Sequence, residues 1–509
     1  MAWVSWDKLT LPKNAGGLGF REIAEFNDSL LAKLTWRILK EPNSLLAQVL
    51  LGKYCTSSPL MDCKAPASAS HGWRGILAGR EVLRRGLGWA VGHGEKIKVW
   101  TDPWLSPLVP TTPIGPPTEQ NKDLLVRDLL HDDAKSWNIL AIRTHLPQYE
   151  DQIRKTTIAS SPLEDSLVWL PVKSGVYTTK TGYALTKLNS TPVANVGFNW
   201  QKSIWKLRTS PKVRHFLWKV MRNALPLGEV LFRRGLAEDV RCKRCNQVEN
   251  VLHLLIRCPF AKKVWDLAPV LFKPSEVIHT TVELLLVGAK KMVTLPPTGL
   301  STAPLFPWIF GHLWKARNLL MFEDRAFSEA EVLLKAISDA RSWMEAQLLL
   351  PRPETNPKTL PGALAAPSPN PEFVSCYVDA AWNISGNCGM GWFFQTTDMM
   401  KIGAKKVSKC FVGSALIAET MAMQSALVDA QSAGLRQLNV CSDCKVLISL
   451  FNSGSSVVEL RGLLQEIREL SVSFTTIGFF YIPRASNFAA DSLAKAALFD
   501  VTSPSFFGG

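Results

Sequence analysis

Ser375 to Trp382 reads Ser-Cys-Tyr-Val-Asp-Ala-Ala-Trp, and its reading decides the architecture of the rear of the chain. Aromatic and β-branched residues predict a strand carrying one acid, Asp379, in its interior. Asn383–Asn387, with Gly386, predicts a turn. Met390 to Gln395 and Lys401 to Val407 then complete a three-strand meander. Ala415 to Ala433 predicts a long helix stopped by Gly434. A short strand at Leu438–Cys441 follows, then helices at Lys445–Asn452 and Glu459–Leu470. A strand at Phe474–Ile482 and a helix at Ala489–Leu498 close the series. The order βββαβααβα predicts an α/β domain, with helices against a mixed five-stranded sheet.

Four carboxylates fall at chemically suggestive places in this pattern. Asp379 lies in the first strand and Glu419 in the first turns of the long helix. Asp443 follows the carboxyl end of the fourth strand, where ligands gather in open α/β sheets, and Asp491 begins the last helix. Separations of 40, 24 and 48 residues mean that only the fold can unite them. Each acid alone could be a helix cap or a solvated turn residue. Together they would repel, and two Mg2+ ions about 4 Å apart, with Mn2+ as a substitute, would both neutralise them and clamp a phosphodiester.

Tyr377-Val378-Asp379-Ala380-Ala381-Trp382, Ala418-Glu419, Ser442-Asp443 and Pro483-Arg484-Ala485-Ser486-Asn487 through Ala490-Asp491-Ser492-Leu493-Ala494-Lys495 form one pattern. Over residues 372–500 it resembles the type I ribonuclease H domain of plant non-LTR (LINE-type) retrotransposons. The resemblance implies that Asp379, Glu419, Asp443 and Asp491 are metal-binding catalytic carboxylates. It further implies endonucleolytic cleavage of the RNA strand of an RNA–DNA hybrid, leaving a free 3′-hydroxyl. Arg484 and Asn487 become candidate nucleic-acid contacts. One feature departs from the family: the loop before the last helix lacks its usual His, and residues 371–509 contain none. That departure favours the alternative, a catalytically weak or inactive nucleic-acid-binding or scaffold protein.

Upstream, Cys242-Lys243-Arg244-Cys245 precedes His253 and Cys258, giving C-x2-C-x7-H-x4-C. Two thiolates at this spacing chelate one ion, and His with a third Cys closes a tetrahedral set, the pattern of a structural Zn2+. The competing reading is buried cysteines beside a core histidine. Residues 200–266 hold 15 Lys/Arg and 5 Asp/Glu, so Lys212, Arg214, Lys243 and Arg244 are candidate phosphate contacts. Trp205, Phe216 and Trp218 could stack bases or pack a core; packing suits the two tryptophans better. Trp205-Lys206-Leu207, Pro211 to Trp218 and the Cys/His set resemble the zinc-binding domain of reverse transcriptases, over residues 180–270.

Trp6-Asp7-Lys8, Gly16-Gly17-Leu18-Gly19-Phe20, Leu31-Ala32-Lys33, Trp73-Arg74, Gly79-Arg80 and Trp100-Thr101-Asp102-Pro103-Trp104 resemble the stretch after the polymerase core of plant LINE-type reverse transcriptases. Asp165, Trp169, Gly175, Tyr177 and Gly182-Tyr183 continue the resemblance. It carries no chemistry. A Tyr/Phe-x-Asp-Asp metal turn is absent, and His131-Asp132-Asp133 has the wrong preceding residues. The expectation is a retroelement remnant with its polymerase core missing and without reverse transcriptase activity.

The expected organisation is a helical post-polymerase segment (1–105), a connecting region (106–179), the zinc-binding domain (180–270), a helical segment (271–350), a Pro-rich linker (351–371) and the ribonuclease H-like domain (372–500). The linker holds seven Pro in 21 residues, which favours extended backbone. The basic front is expected to be mostly α. Within it, residues 20–50 read as helix by the four-residue spacing of Phe26, Leu30, Leu34 and Ile38, and Ile97–Trp100 reads as strand-like.

The 509 residues carry 58 Lys/Arg against 43 Asp/Glu, a net charge of +15. All of the excess lies before residue 371, which points to a polyanionic partner. Ten Cys are too sparse for a disulfide scaffold. The start lacks a signal-peptide pattern, and no window of 18 apolar residues predicts a membrane span. A soluble, intracellular protein is expected, with nucleus or cytoplasm, oligomeric state and protein partners left open.

Overall fold

The computed structural model describes residues 2–115, 117–133, 135–158, 163–188, 197–275, 277–296, 298–300, 303–349 and 373–502. The Pro-rich stretch 351–371 lies outside the described residues. The chain divides into two units, residues 1–22 with 191–357 and residues 23–190 with 358–509.

In the second unit, α1 (Ile23–Lys40) packs along α2 (His71–Arg84). The contact needs Gly79, because a Cβ there would lie 2.4 Å from Ala32 N. The expected 20–50 helix is two helices. Pro42, which has no N–H to donate, follows the end of α1, and Ser44 caps a new helix, Leu45–Tyr54. A ribbon of β1 (Leu87–Ala90) and β2 (Ser166–Trp169) pairs antiparallel, with Leu87 opposite Trp169. Asp165, just before β2, is buried and accepts from the backbone N–H groups of Gly92 (2.7 Å), Gly94 (2.9 Å) and Lys96 (2.9 Å). It thereby fixes the turn after β1. Ile97–Trp100 is not a strand and makes only a bridge from Lys98 to Leu125. Asp102 takes the Lys98 N–H at 2.7 Å, and Trp104 Nε1 donates to Val99 O at 2.9 Å, so the Trp100–Trp104 stretch folds back on itself. α3 (Thr179–Leu188) starts beside the Trp169–Tyr177 edge-to-face pair, and the Tyr177 hydroxyl donates to Ser29 O at 2.8 Å.

The first unit is helical. Its labelled helices are α4 (Pro211–Met221), α5 (Pro259–Leu267), α6 (Phe306–Phe322) and α7 (Glu329–Leu349). α4 opens with Pro211 behind the cap Ser210, whose Oγ accepts from Val213 N. Its buried face, Leu217, Trp218 and Val220, joins Leu255, Trp265, Phe306 and Phe310 in one core. Residues 2–22 belong to this unit for a specific reason. Gly16 adopts φ +86°, and its carbonyl accepts from Trp218 Nε1 (2.8 Å) and Arg222 Nε (2.9 Å). A Cβ on Gly16 would sit 2.4 Å from Trp200 and Arg222. Residues 1–22 therefore separate from the helices that follow them, which the expected 1–105 segment kept together.

The rear of the second unit is the α/β fold expected, element for element: β3 (Val374–Trp382), β4 (Cys388–Gln395), β5 (Lys401–Lys409), α8 (Ala415–Ser432), β6 (Gln437–Ser442), α9 (Lys445–Asn452), α10 (Arg461–Ser471), β7 (Thr476–Tyr481) and α11 (Phe488–Thr502). The sheet order is β5-β4-β3-β6-β7. β3, β4 and β5 pair antiparallel, whereas β6 pairs parallel with both β3 and β7. α8 packs on β3 and β4 with α10 behind it, and α11 also lies on β4 and β3. Strand alternation separates the two helix layers: Met390, Trp392 and Phe394 join the α8 core, while Gly389 and Gly391 meet α11. Among the described residues, no helix is long and apolar enough to cross a membrane.

Candidate metal centres

Tyr377 pairs with Cys441 across the parallel β3–β6 contact. Two residues further along, side chains return to the same face, so Asp379 and Asp443 come side by side. The turn at Asp443 is set by Ser442, whose buried hydroxyl accepts from Cys444 N at 3.0 Å. Glu419 reaches the same place from the second turn of α8. That helix starts at Ser414, whose Oγ accepts from Ile417 N at 3.2 Å and donates to Glu459 at 3.0 Å. Carboxylate oxygens of Asp379, Glu419 and Asp443 all lie within 4.8 Å of one another.

The cluster is poorly neutralised by the protein itself. Burial, then the charges of Asp443 and Asp491, pushes Asp379 up to about 7. Burial, then Asp379 and Asp443, pushes Glu419 up to about 9. Glu419 Oε2 is buried and has no hydrogen-bond partner. A buried oxygen without a donor is costly, and oxygen-only ligand sets suit hard divalent cations. The donor set therefore fits Mg2+ or Mn2+.

Asp491 stands in the first turn of α11 and lies near enough to Asp379 to raise its pKa. It is not one of the three convergent acids. Its carboxylate accepts from Lys495 Nζ at 2.6 Å, and Arg484 Nη2 lies at 3.7 Å. Arg484 itself is exposed on the loop before α11. Asn487 corrects the expectation of a nucleic-acid contact. It is fully buried, and its Nδ2 donates to Val378 O at 3.0 Å. Its side chain thus ties the start of α11 to β3, next to Asp379, and does not reach the surface.

In the first unit, the ligand atoms of Cys242, Cys245, His253 and Cys258 also lie within 4.8 Å of one another. Cys242 N donates to Gln247 O and Asn246 N to Cys242 O, with Asn246 at φ +60°, which forms the tight knuckle. A wide turn, closed by Cys258 N donating to His253 O at 2.8 Å, brings the other two ligands over it. Cys245 Sγ is 3.3 Å from His253 Nε2 and 3.9 Å from Cys258 Sγ. A hydrogen bond shared with Cys258 draws the Cys242 thiol down to about 3 and drives that of Cys258 up. Three sulfurs and one imidazole in a closed cluster fit a structural Zn2+. The thiols of Cys441 and Cys444 are free; burial pushes that of Cys441 up to about 12.

Most of the predicted phosphate contacts make bonds within the protein. Lys243 Nζ binds Asp324 (2.7 Å) and Leu320 O (3.1 Å). Arg244 lies over the Phe260 ring at 3.7 Å, and Arg214 donates to Trp205 O at 2.9 Å. Lys212 is exposed and has no ion-pair partner among the described residues. One residue pair escaped the sequence reading. Glu249 and Arg317 form a buried two-point ion pair (2.6 and 2.8 Å) that also takes Gly228 N, and it ties the knuckle to α6. Nothing local in the sequence marks it, since the partners are 68 residues apart.

Residues 177–265 match the family described as zinc-binding in reverse transcriptase, and residues 378–497 match the family described as reverse transcriptase-like. The chain is 31% identical over 271 residues to the Arabidopsis thaliana protein At1g65750, whose name assigns it provisionally to ribonuclease H. That match covers 52% of this chain and 43% of the relative, so the chain spans less than half of that protein. The uncharacterized mitochondrial protein AtMg00310 of Arabidopsis thaliana is 42% identical over 116 residues, 23% of this chain and 75% of the relative. Among solved structures, ribonuclease H1 of Halobacterium salinarum aligns with 25% identity and a TM-score of 0.24, over 25% of this chain and 98% of that one.

Proposed function

The chain belongs to the plant retroelement-derived family that joins a reverse-transcriptase zinc-binding module to a ribonuclease H-like domain, and from that premise we propose that it hydrolyses the RNA strand of RNA–DNA hybrids. The observation that carries the reading is the meeting of Asp379, Glu419 and Asp443, drawn from a strand, a helix and a strand end, with oxygens within 4.8 Å of one another. These three carboxylates hold the cations, and Asp491 is the fourth acid of the site. Bound divalent cations would activate a water and neutralise the departing oxygen.

The chain's own side chains have distinct parts in this reading. Asp379 and Asp443 fix the position of the site on the sheet, at the β3–β6 junction. Glu419 presents an unpartnered oxygen from above it. Arg484, exposed before α11, offers a cation to a substrate phosphate. Cys242, Cys245, His253 and Cys258 hold one structural Zn2+, which fastens the knuckle of the first unit. The test is cleavage of a labelled hybrid by the full chain in Mg2+, with loss of cleavage in Asp443→Asn.

A second reading, nucleic-acid binding without hydrolysis, is favoured by one observation. The Asp491 carboxylate is engaged by Lys495 at 2.6 Å, and residues 371–509 hold no histidine to share its proton handling. Under that reading the chain binds the hybrid and leaves it intact.

A further inference from the structure

α4 and α6 of the first unit present facing stripes. On α4, His215, Phe216 and Lys219 lie three, four and seven residues beyond Lys212, which places all four on one face. On α6, Trp308, Gly311, His312 and Lys315 do the same. Between these stripes lies a groove of about 550 Å³, which Trp314 also lines. This is the volume range of a ligand site.

The groove is basic. Among the described residues, Asp339 is the only acid that lines it, and His312 Nε2 (2.9 Å) and Lys315 Nζ (3.2 Å) already hold its carboxylate. Lys212 and Lys219 have no ion-pair partner among the described residues, so their charge faces the groove unopposed. Aromatic surface lies between the cations: Phe216 and Trp314 are partly exposed, and the His215 ring lies exposed, stacked on Trp218 at 5.5 Å and 12°.

Gly311 adds an independent sign that the space is kept open. Glycine is disfavoured inside a helix and usually marks a close approach. Here a Cβ would meet nothing within 4 Å. No packing partner among the described residues accounts for the glycine, which borders open space along the groove.

We propose that this groove binds a single-stranded polynucleotide, with Lys212 and Lys219 on phosphates and the aromatic side chains against bases. The chemistry is that of unstacked strands held without sequence reading, by cations along the backbone and rings against the base faces. A duplex, whose bases are enclosed, would not use the rings. The site is separate from the carboxylate cluster, and the inference does not rest on hydrolysis.

The experiment measures fluorescence anisotropy of labelled single strands of about 12 nucleotides, RNA in one arm and DNA in the other, with the full chain carrying Asp443→Asn so that no strand is cut. Binding of either strand is expected, and the ratio of the two affinities identifies whether RNA or DNA is the natural ligand. Lys212→Gln with Lys219→Gln should weaken binding and flatten the log–log salt slope by about 1.4, about 0.7 per lost phosphate contact. Gly311→Leu should narrow the groove and weaken binding roughly tenfold, with an unfolding temperature no lower than the parent's, because the added atoms enter open space and leucine favours the helix more than glycine does. The proposal is overturned if neither strand binds, or if all of these variants bind like the parent. It is also overturned if poly-glutamate displaces the strand as well as unlabelled oligonucleotide does, since charge alone would then explain the binding.

Discussion

Gly391 sits directly across the β3–β4 ladder from Asp379, and the place its Cβ would occupy is taken by the backbone of α11. Ala494 N would lie 2.5 Å and Ala490 O 2.8 Å from that atom. Gly389, on the same face, meets Ala494 O and Leu498 N even more closely. The absence of two methyl groups therefore lets the helix that carries Asp491 rest on the strand beside Asp379. Gly391→Ala should force α11 away and destabilise the domain by about 1–3 kcal/mol, read as a lowered unfolding midpoint. An unchanged midpoint would mean that α11 does not lie on this strand.

The acid cluster makes a pH prediction for the protein in Mg2+-free buffer. Asp379 and Glu419 have pKa values raised to about 7 and about 9, so the folded state holds these protons more tightly than the unfolded chain. Their contribution to stability is full below the ordinary carboxylate range and is lost as pH rises towards 9. Glu419→Gln removes that loss and should stabilise the cation-free protein at pH 9 by about 1–3 kcal/mol relative to its effect at pH 4. Adding Mg2+ near pH 7 should release protons, measurable by calorimetry in buffers of different ionisation enthalpy. Cation binding without proton release would contradict the placement of these carboxyls.

Asn487 is expected to act inside the fold. Asn487→Ala removes the bond to Val378 O and leaves that buried carbonyl short of a donor, a cost of about 1–3 kcal/mol. Hybrid affinity of the folded variant should stay within about twofold of the parent, because the side chain does not reach the surface. A large loss of affinity with unchanged stability would restore the direct contact.

The Cys/His cluster predicts about one zinc per chain. Cys258→Ala should lose the metal, as read by elemental analysis, and should lower the unfolding midpoint of the first unit. Retention of zinc in that variant would point to a different ligand set.

Much of the rear domain was legible because its elements announce themselves locally. Ser375–Trp382 has strand chemistry, and Gly434 ends a helix. The acids could be named from the pattern, but their meeting depends on the parallel pairing of Tyr377 with Cys441, a contact between residues far apart in the chain. Other features were hidden for the same reason. The carbonyl of Gly16 accepts from Trp218 and Arg222, some two hundred residues away, so the attachment of residues 2–22 could not be read from the motif around them. Asn487 was misplaced because its position in a motif says nothing about burial. Ile97–Trp100 has strand chemistry, yet the carboxylate of Asp102 captures the Lys98 N–H and turns the backbone.

Hydrolysis of a labelled RNA–DNA hybrid tests the central claim most directly. The full chain, given Mg2+ or Mn2+, should shorten the RNA strand and spare the DNA strand. Asp379→Asn and Asp443→Asn, each still folded, should lower the rate by at least about a hundredfold. A hybrid that stays intact with the unaltered chain and either cation, or cleavage that persists undiminished in both variants, would contradict it.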